Sequence, residues 1–310
     1  MSFRGTEIKI FSGSSNYIFA QNIASHLGLP LGKAEIKTFN DGEIVVSLCE
    51  PVRNSDCFIV QSICNPVNDN LMELLVMIDA MKRACAARIT AVIPYFGYSR
   101  QDRKAHAGDP ISAKLVADLL TVAGASSILT MDLHSPQIQG FFNIPIDNLE
   151  GCQILASFIK DEIKNHKDHY IVVSPDLGSV TRARDFSKIL GVPFAIIDKI
   201  RPTANVSEVV NIIGDVKGKK VILIDDMVDT AGTLCNATKA VIERGKAAEV
   251  IACATHPILS GNAVVKLQNS YIEKLYLLDT VPLPKEKLLS KIKIIPTASF
   301  FAKAIEKIHR

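Results

Sequence analysis

The feature that most limits the fold is an alternation. Short apolar runs, several of them β-branched at successive positions, are separated by stretches of helical period from one end of the chain to the other. The runs fall at residues 8–11, 44–48, 56–61, 89–93, 127–131, 170–174, 194–197, 221–225, 250–254 and 274–278. A run such as Val221, Ile222, Leu223, Ile224 has no polar side. Such a strand is stable only when both faces are covered, as inside a parallel sheet. The helical stretches supply the cover. Residues 70–86 carry an apolar stripe at Leu71, Leu74, Leu75 and Ile78, and residues 112–123 follow Pro110. Residues 180–190 set Val180, Ala183, Phe186 and Leu190 on one face and meet Gly191; residues 232–244 meet Gly245. The pattern predicts an α/β fold with mostly parallel sheets flanked by helices.

Length sets the domain count. A chain of 310 residues is enough for about two domains. The turn-rich segment at residues 142–148 predicts a boundary that leaves domains of 1–150 and 151–310, with the final helix available to pack back on the first. No residue-level repeat relates the halves. Apolar residues at 48% and charged residues at 22% exclude wholesale disorder. A net charge of +3 gives no basic field of the kind that marks a nucleic-acid partner. No window approaches the apolar length of a membrane span. Seven cysteines, an odd number with no C-x-x-C spacing, and no secretory pattern at the start predict reduced thiols in the cytoplasm.

In open α/β sheets, ligands bind beyond the carboxyl ends of the strands, and three strand ends stand out. After residues 221–224 come Asp225, Asp226, Met227, Val228, Asp229, Thr230, Ala231, Gly232 and Thr233. Small residues let the backbone close on a phosphate, and a helix N-terminus aims N–H groups at it. Thr230 and Thr233 add hydroxyl donors, while Asp225 and Asp226 suit two neighbouring sugar hydroxyls. Singly, such an Asp is a helix cap and such a Gly a turn; together they read as a site. After residues 170–174, Asp176 is a candidate metal ligand and Gly178 admits a diphosphate. After residues 127–131, Asp132 and His134 stand two apart, so both are expected on one face; the carboxylate suits Mg²⁺, and the imidazole suits Mg²⁺ or a phosphate. Two basic loops complete the set. One runs from Tyr95 through Arg100, Gln101, Asp102, Arg103 and Lys104, mixing aromatics with charge. The other holds Lys199 and Arg201 and is placed to close over phosphates. No Walker loop, dinucleotide fingerprint or hydrolase elbow occurs.

At this point the chain resembles the ribose-phosphate pyrophosphokinases (phosphoribosyl-diphosphate synthetases) of the class I-like type, over nearly its whole length. The loop from Asp225 to Thr233 carries part of the likeness. More specific are the motif Phe39-Asn40-Asp41-Gly42-Glu43, the motif from Tyr95 to Asp102, Asn68-Asp69-Asn70-Leu71-Met72-Glu73-Leu74, Asp132-Leu133-His134, and Ala254-Thr255-His256-Pro257. The resemblance implies two similar phosphoribosyltransferase-type domains. It implies transfer of the β,γ-diphosphoryl group of ATP to the C1 hydroxyl of ribose 5-phosphate, with Mg²⁺, and release of AMP. By position, Phe39, Asp41, Gly42 and Glu43 would line the adenine pocket of a neighbouring subunit in a hexamer of dimers. Arg100, Gln101 and Asp102 would hold ATP. His134, Asp176 and Asp132 would serve the metal. Asp225, Asp226, Asp229, Thr230, Ala231, Gly232 and Thr233, with Arg201, would bind ribose 5-phosphate. Lys199 and Arg201 match the catalytic pair, and Ser47 and Gln139 match regulatory positions. A phosphoribosyltransferase and a non-catalytic regulatory relative are the alternatives.

The sequence departs from that pattern in places. Ile200 lies between Lys199 and Arg201, and Ser179 stands where a second Gly is usual. Residues 104–111 are short of positive charge beyond Lys104, Pro136 replaces a small polar residue, and the chain stops at Arg310 where relatives continue. Fewer cations at an anion site predict weakened activation by phosphate and weakened inhibition by ADP.

Overall fold

The computed structural model describes residues 6–200 and 209–310. They form two compact units. One holds the residues up to Leu149 together with Thr280–Pro282 and Pro296–Arg310; the other holds Glu150–Asp279 and Leu283–Ile295.

The first unit runs β1 (Ile8–Ser12), α1 (Tyr17–His26), β2 (Ala34–Thr38), β3 (Ile44–Leu48), β4 (Asp56–Val60), α2 (Val67–Arg83), β5 (Arg88–Ile93), α3 (Ser112–Ala123), β6 (Ser127–Met131) and β7 (Ile146–Leu149). Its sheet is parallel throughout, in the order β1-β4-β5-β6-β7, and β2 and β3 form a separate antiparallel hairpin. Every residue of β4 is buried, which is why that strand reads as a continuous apolar run.

The second unit runs α4 (Gly151–Ile163), β8 (Tyr170–Ser174), α5 (Val180–Leu190), β9 (Phe194–Ile200), β10 (Val209–Ile213), β11 (Lys220–Val228), α6 (Gly232–Glu243), β12 (Glu249–Pro257), α7 (Ala263–Gln268), β13 (Ile272–Leu278) and β14 (Ile292–Ile295). Its sheet has the order β10-β9-β8-β11-β12-β13-β14, and only β10 against β9 is antiparallel. The series β8-β11-β12-β13-β14 reproduces β1-β4-β5-β6-β7 in chain order, spatial order and direction. The halves are therefore one topology used twice, a repeat the residues themselves do not disclose. The repeats differ in the excursion after their first helix, which joins the sheet as β9 and β10 but stays apart as β2 and β3.

Helix ends follow local chemistry. Gly191 takes a φ of 69° and closes α5, as only glycine does without strain. Gly245 acts otherwise: the left-handed residue after α6 is Lys246, at a φ of 55°. Gly245 is small because a Cβ there would meet the Val241 carbonyl oxygen at 2.7 Å. Helix α2 stops at Arg83, short of the predicted 86, and Cys85 turns away with a φ of 60°.

The last helix, α8 (Ala298–His309), belongs to the first unit. It buries Ala298, Phe301, Ala302 and Ile305, a stripe of helical period. Phe301 meets Phe19 of α1 edge-on, with ring centroids 5.3 Å apart. Its end is fixed by charge. Asp56 is fully buried and accepts from Arg88 Nε at 2.8 Å, from a second Arg88 nitrogen, and lies 2.8 Å from His309 Nδ1. Removing one partner of a buried pair strands the other charge, at about 3–5 kcal/mol. Arg88→Ala is therefore expected to lower the thermal midpoint of the first unit sharply, read by circular dichroism; a shift of under a degree would refute that role.

Candidate functional site

In the second unit, β11 continues past its predicted end at residue 225 to Val228. Adjacent side chains of an extended strand point to opposite sides, and Asp225 and Asp226, expected to serve two neighbouring sugar hydroxyls, occupy successive positions of β11. Asp225 faces the loop after β8. Its Oδ1 accepts from Ser179 Oγ at 2.8 Å and from the Asp226 N–H at 2.9 Å. Asp226 is only 6% exposed. Burial pushes the Asp225 carboxyl up to about 7; the charges of Asp226 and Asp176 push the same way, and the Ser179 hydroxyl opposes them. Ser179 also donates its N–H to Asp176 Oδ1 at 3.0 Å. The extra Cβ at Ser179 therefore turns its hydroxyl inward, onto Asp225.

The loop beyond β11 is shaped for an anion. Ala231 sits in left-handed backbone, at a φ of 60°, and is buried, while Thr230 and Thr233 are exposed. Alanine at the start of α6 offers no side-chain acceptor, so the first amides of that helix have no side-chain cap. Two supports come from elsewhere in the fold. Ser260 donates its hydroxyl to Asp229 and its N–H to the Asp229 carbonyl at 3.0 Å, and Lys266 Nζ donates to the Thr230 carbonyl at 3.2 Å.

In the first unit, Phe39, Asp41, Gly42 and Glu43 form the tip between β2 and β3. Phe39 is 59% exposed. Gly42 has a φ of 99°, and Asp41 Oδ1 accepts the Glu43 N–H at 3.1 Å. The loop after β5 exposes Arg100 and Gln101, while Asp102 accepts from Gln137 Nε2 at 3.2 Å. Beyond β6 the expectation for Asp132 and His134 fails in its geometry. Asp132 takes a φ of 40°, which ends the strand alternation; it is 7% exposed, whereas His134 is exposed. Ser47 is exposed on β3, and exposed Gln139 donates to the Pro136 carbonyl at 3.2 Å. Left-handed backbone at non-glycine residues recurs at these strand ends, at Tyr98, Asp132, Ala231 and Leu259, and strain of that kind concentrates at functional sites.

The matches to known proteins follow this division. A model described as the N-terminal domain of ribose phosphate pyrophosphokinase matches residues 8–124, and a phosphoribosyl transferase domain model matches residues 146–271. The ribose-phosphate pyrophosphokinase of Caldanaerobacter subterraneus subsp. tengcongensis is 60% identical over 97% of this chain and 95% of its own length. This chain belongs to the ribose-phosphate pyrophosphokinase family. The enzyme of that name from Clostridium perfringens is 58% identical over 100% of this chain and 97% of its own. The crystal structure of phosphoribosylpyrophosphate synthetase from Mycobacterium smegmatis superposes with a TM-score of 0.93 at 38% identity, covering 98% of this chain and 99% of that one.

Within this ribose-phosphate pyrophosphokinase fold the candidate residues divide between the units. Phe39, Asp41, Gly42, Glu43, Arg100, Gln101, Asp102, Asp132 and His134 lie in the first; Asp176 and the loop from Asp225 to Thr233 lie in the second. Lys199 is in β9, and Arg201 lies outside the described residues. Sequence reasoning missed Ser260 and Lys266. Both act on the loop's backbone or on Asp229 from more than thirty positions away, and no local signal marks them.

Proposed function

We propose that this chain transfers the β,γ-diphosphoryl group of ATP to ribose 5-phosphate. The C1 hydroxyl oxygen attacks the β-phosphorus, the bond from that phosphorus to the α,β-bridging oxygen breaks, the hydroxyl proton is lost, and AMP leaves. The product is 5-phosphoribosyl 1-diphosphate. The observation that carries the reading is the loop from Asp229 to Thr233, with its left-handed Ala231 and the uncapped start of α6, beside Asp225. That loop holds the 5-phosphate through backbone N–H groups and the Thr230 and Thr233 hydroxyls. Asp225 and Asp226 orient the ribose hydroxyls.

Transfer of this kind asks the protein for alignment and charge stabilisation rather than covalent chemistry. Lys199 and Arg201 stabilise the negative charge that develops on the bridging oxygens. Arg100, Gln101 and Asp102 orient the ATP. Among the described residues there is no cluster of three or more His, Cys, Asp or Glu able to hold a metal. That fits Mg²⁺, which takes one or two carboxylates and completes its shell with water and substrate phosphates. Asp176 in the second unit, and Asp132 with His134 in the first, are the separate candidates to hold it. When bound, Mg²⁺ neutralises polyphosphate charge and fixes the in-line geometry. Exposed Phe39, at its hairpin tip, supports completion of the adenine pocket by a neighbouring subunit in a hexamer built from dimers. The cysteines are free thiols, which supports a reducing compartment such as the cytoplasm, and no helix among the described residues is long and apolar enough to cross a membrane.

Incubation with Mg-ATP and ribose 5-phosphate is expected to release AMP in step with ribose 5-phosphate consumed. Release of ADP, or turnover without the sugar, would overturn the reading. Weakened control by phosphate has its own support. In the loop at residues 104–111, Asp109 Oδ2 accepts the N–H groups of Ala105 and His106 at 3.1 and 2.7 Å. A carboxylate already occupies donors that an anion would need. Titrating phosphate at saturating substrates is expected to change the rate only slightly; strong activation combined with non-competitive ADP inhibition would refute it.

A further inference from the structure

The repeated topology lets the two anion loops be compared within one chain. In the second unit, the loop after the opening strand β8 meets Asp225 within β11. In the first, the loop after β1, residues 13–16, meets Gln61 just beyond β4. The registers correspond: Ser12 pairs with Val60 in one sheet, and Ser174 is the equivalent end of β8 in the other. Ser15 donates its N–H to Gln61 Oε1 at 3.0 Å, where in the second unit Ser179 donates its hydroxyl to Asp225.

The units then part. The first carries Glu73 on α2, only 5% exposed. Its Oε1 accepts the Ser14 N–H at 2.6 Å and Gln61 Nε2 at 2.7 Å, and its Oε2 accepts the Ser14 hydroxyl at 2.7 Å. Every contact is a donor aimed at a carboxylate, and no Lys, Arg or His pairs with it among the described residues. The fit is close: a Cβ on Gly13 would lie 2.7 Å from Glu73 Oε1. Counted from the helix start, the residue of α6 equivalent to Glu73 is Thr238, whose hydroxyl turns back to the Leu234 carbonyl at 2.8 Å and leaves its loop alone.

We propose that residues 13–16 form an anion cradle already filled by this chain's own carboxylate, Glu73, so that the first unit's counterpart of the loop after β8 is closed to substrate phosphates. In the second unit the matching loop, residues 175–179, is met by Asp176 and Asp225, from the loop itself and the neighbouring strand, whereas in the first the acceptor comes from a helix. The plug is a specificity device. It denies phosphorylated ligands a second, unproductive position and holds the loop after β1 rigid without a ligand.

The test uses the full chain and formate, the smallest carboxylate. Glu73→Ala removes the acceptor shared by the Ser14 N–H, the Ser14 hydroxyl and Gln61 Nε2, the last of which keeps only longer contacts to Asn70 at 3.3 and 3.4 Å, and a fall in thermal midpoint of roughly 5–10 °C is expected. Because Ser14 is exposed, formate can reach the vacated space. Formate at several hundred millimolar is expected to restore at least half of the loss relative to chloride of equal ionic strength. The native chain, whose second-unit loop is unchanged, sets the baseline. Glu73→Gln, which fills the space but turns an N–H₂ group toward donors, is expected to lose several degrees with no formate-specific recovery. An unchanged midpoint in either variant, or recovery in Glu73→Ala no greater than with chloride, would overturn the proposal. If Glu73→Ala does not fold, Glu73→Gln decides on the same terms.

Discussion

Replacing Lys199 by alanine is expected to lower kcat by about 10²- to 10³-fold, with the KM values for ATP and ribose 5-phosphate within a few-fold of the native ones. The split follows from where the charge builds. In the ground state the negative charge of ATP sits on peripheral oxygens that other groups already serve. As the diphosphoryl group departs, charge grows on the oxygen bridging to AMP, and a cation placed there acts on the transition state alone. Lysine brings a compact ammonium to that point. Lys199→Arg keeps the charge but changes its reach, so a partial recovery of kcat is expected. Near-normal turnover in Lys199→Ala, measured by AMP release, would remove Lys199 from the mechanism; a loss confined to KM would make it a binding residue instead.

The broad fold was legible because period is a local property. The buried strands β4, β5, β6, β8, β11 and β12 announce themselves through apolar side chains at nearly every position, and α5 through its stripe and Gly191. Less visible were strands that cover one face or none. β2 leaves Glu35, Lys37 and Thr38 exposed, and β14 is four residues with an exposed Lys293. The duplication, implied by the family resemblance, left no residue-level repeat because topology conserves strand order while the side chains filling each sheet are interchangeable apolar residues. At the site, the loop from Asp225 to Thr233 was legible, since small residues and hydroxyls after an apolar strand have few other uses. One inference drawn from strand alternation failed there: Asp132 and His134 lie beyond the last residue of β6, where left-handed backbone breaks the period. Contacts such as Ser260 with Asp229, or Glu73 with Ser14, depend on which strand ends lie side by side, and spacing along the chain carries no record of that.

Asp225→Asn is expected to make the protein more stable and less active at once. Asp225 keeps its proton to higher pH when folded than when unfolded, because burial and the nearby Asp226 disfavour its charge. The native state therefore binds more protons than the unfolded chain between the ordinary carboxylate range and about 7, and over that window stability falls as pH rises. Asparagine has the same shape, and its oxygen still accepts from Ser179 and the Asp226 N–H, but it carries no charge to desolvate. At pH 4 the two proteins should melt close together, since the folded Asp225 is neutral and the unfolded one only partly ionised. At pH 8 the variant should melt higher, by roughly 2–6 °C for a gain on the order of 1–2 kcal/mol reduced by partial exposure. Activity should move the other way. A carboxylate binds a sugar hydroxyl more strongly than an amide does, so kcat/KM for ribose 5-phosphate should fall about 10- to 100-fold. A melting difference that is the same at pH 4 and pH 8 would show that the Asp225 charge is not the cause. A lower midpoint at pH 8 would mean that an unmet partner, rather than desolvation, dominates at this position of β11. The opposed signs are what a site built for binding requires: the charge that destabilises the empty loop is the one held ready for the ribose hydroxyls.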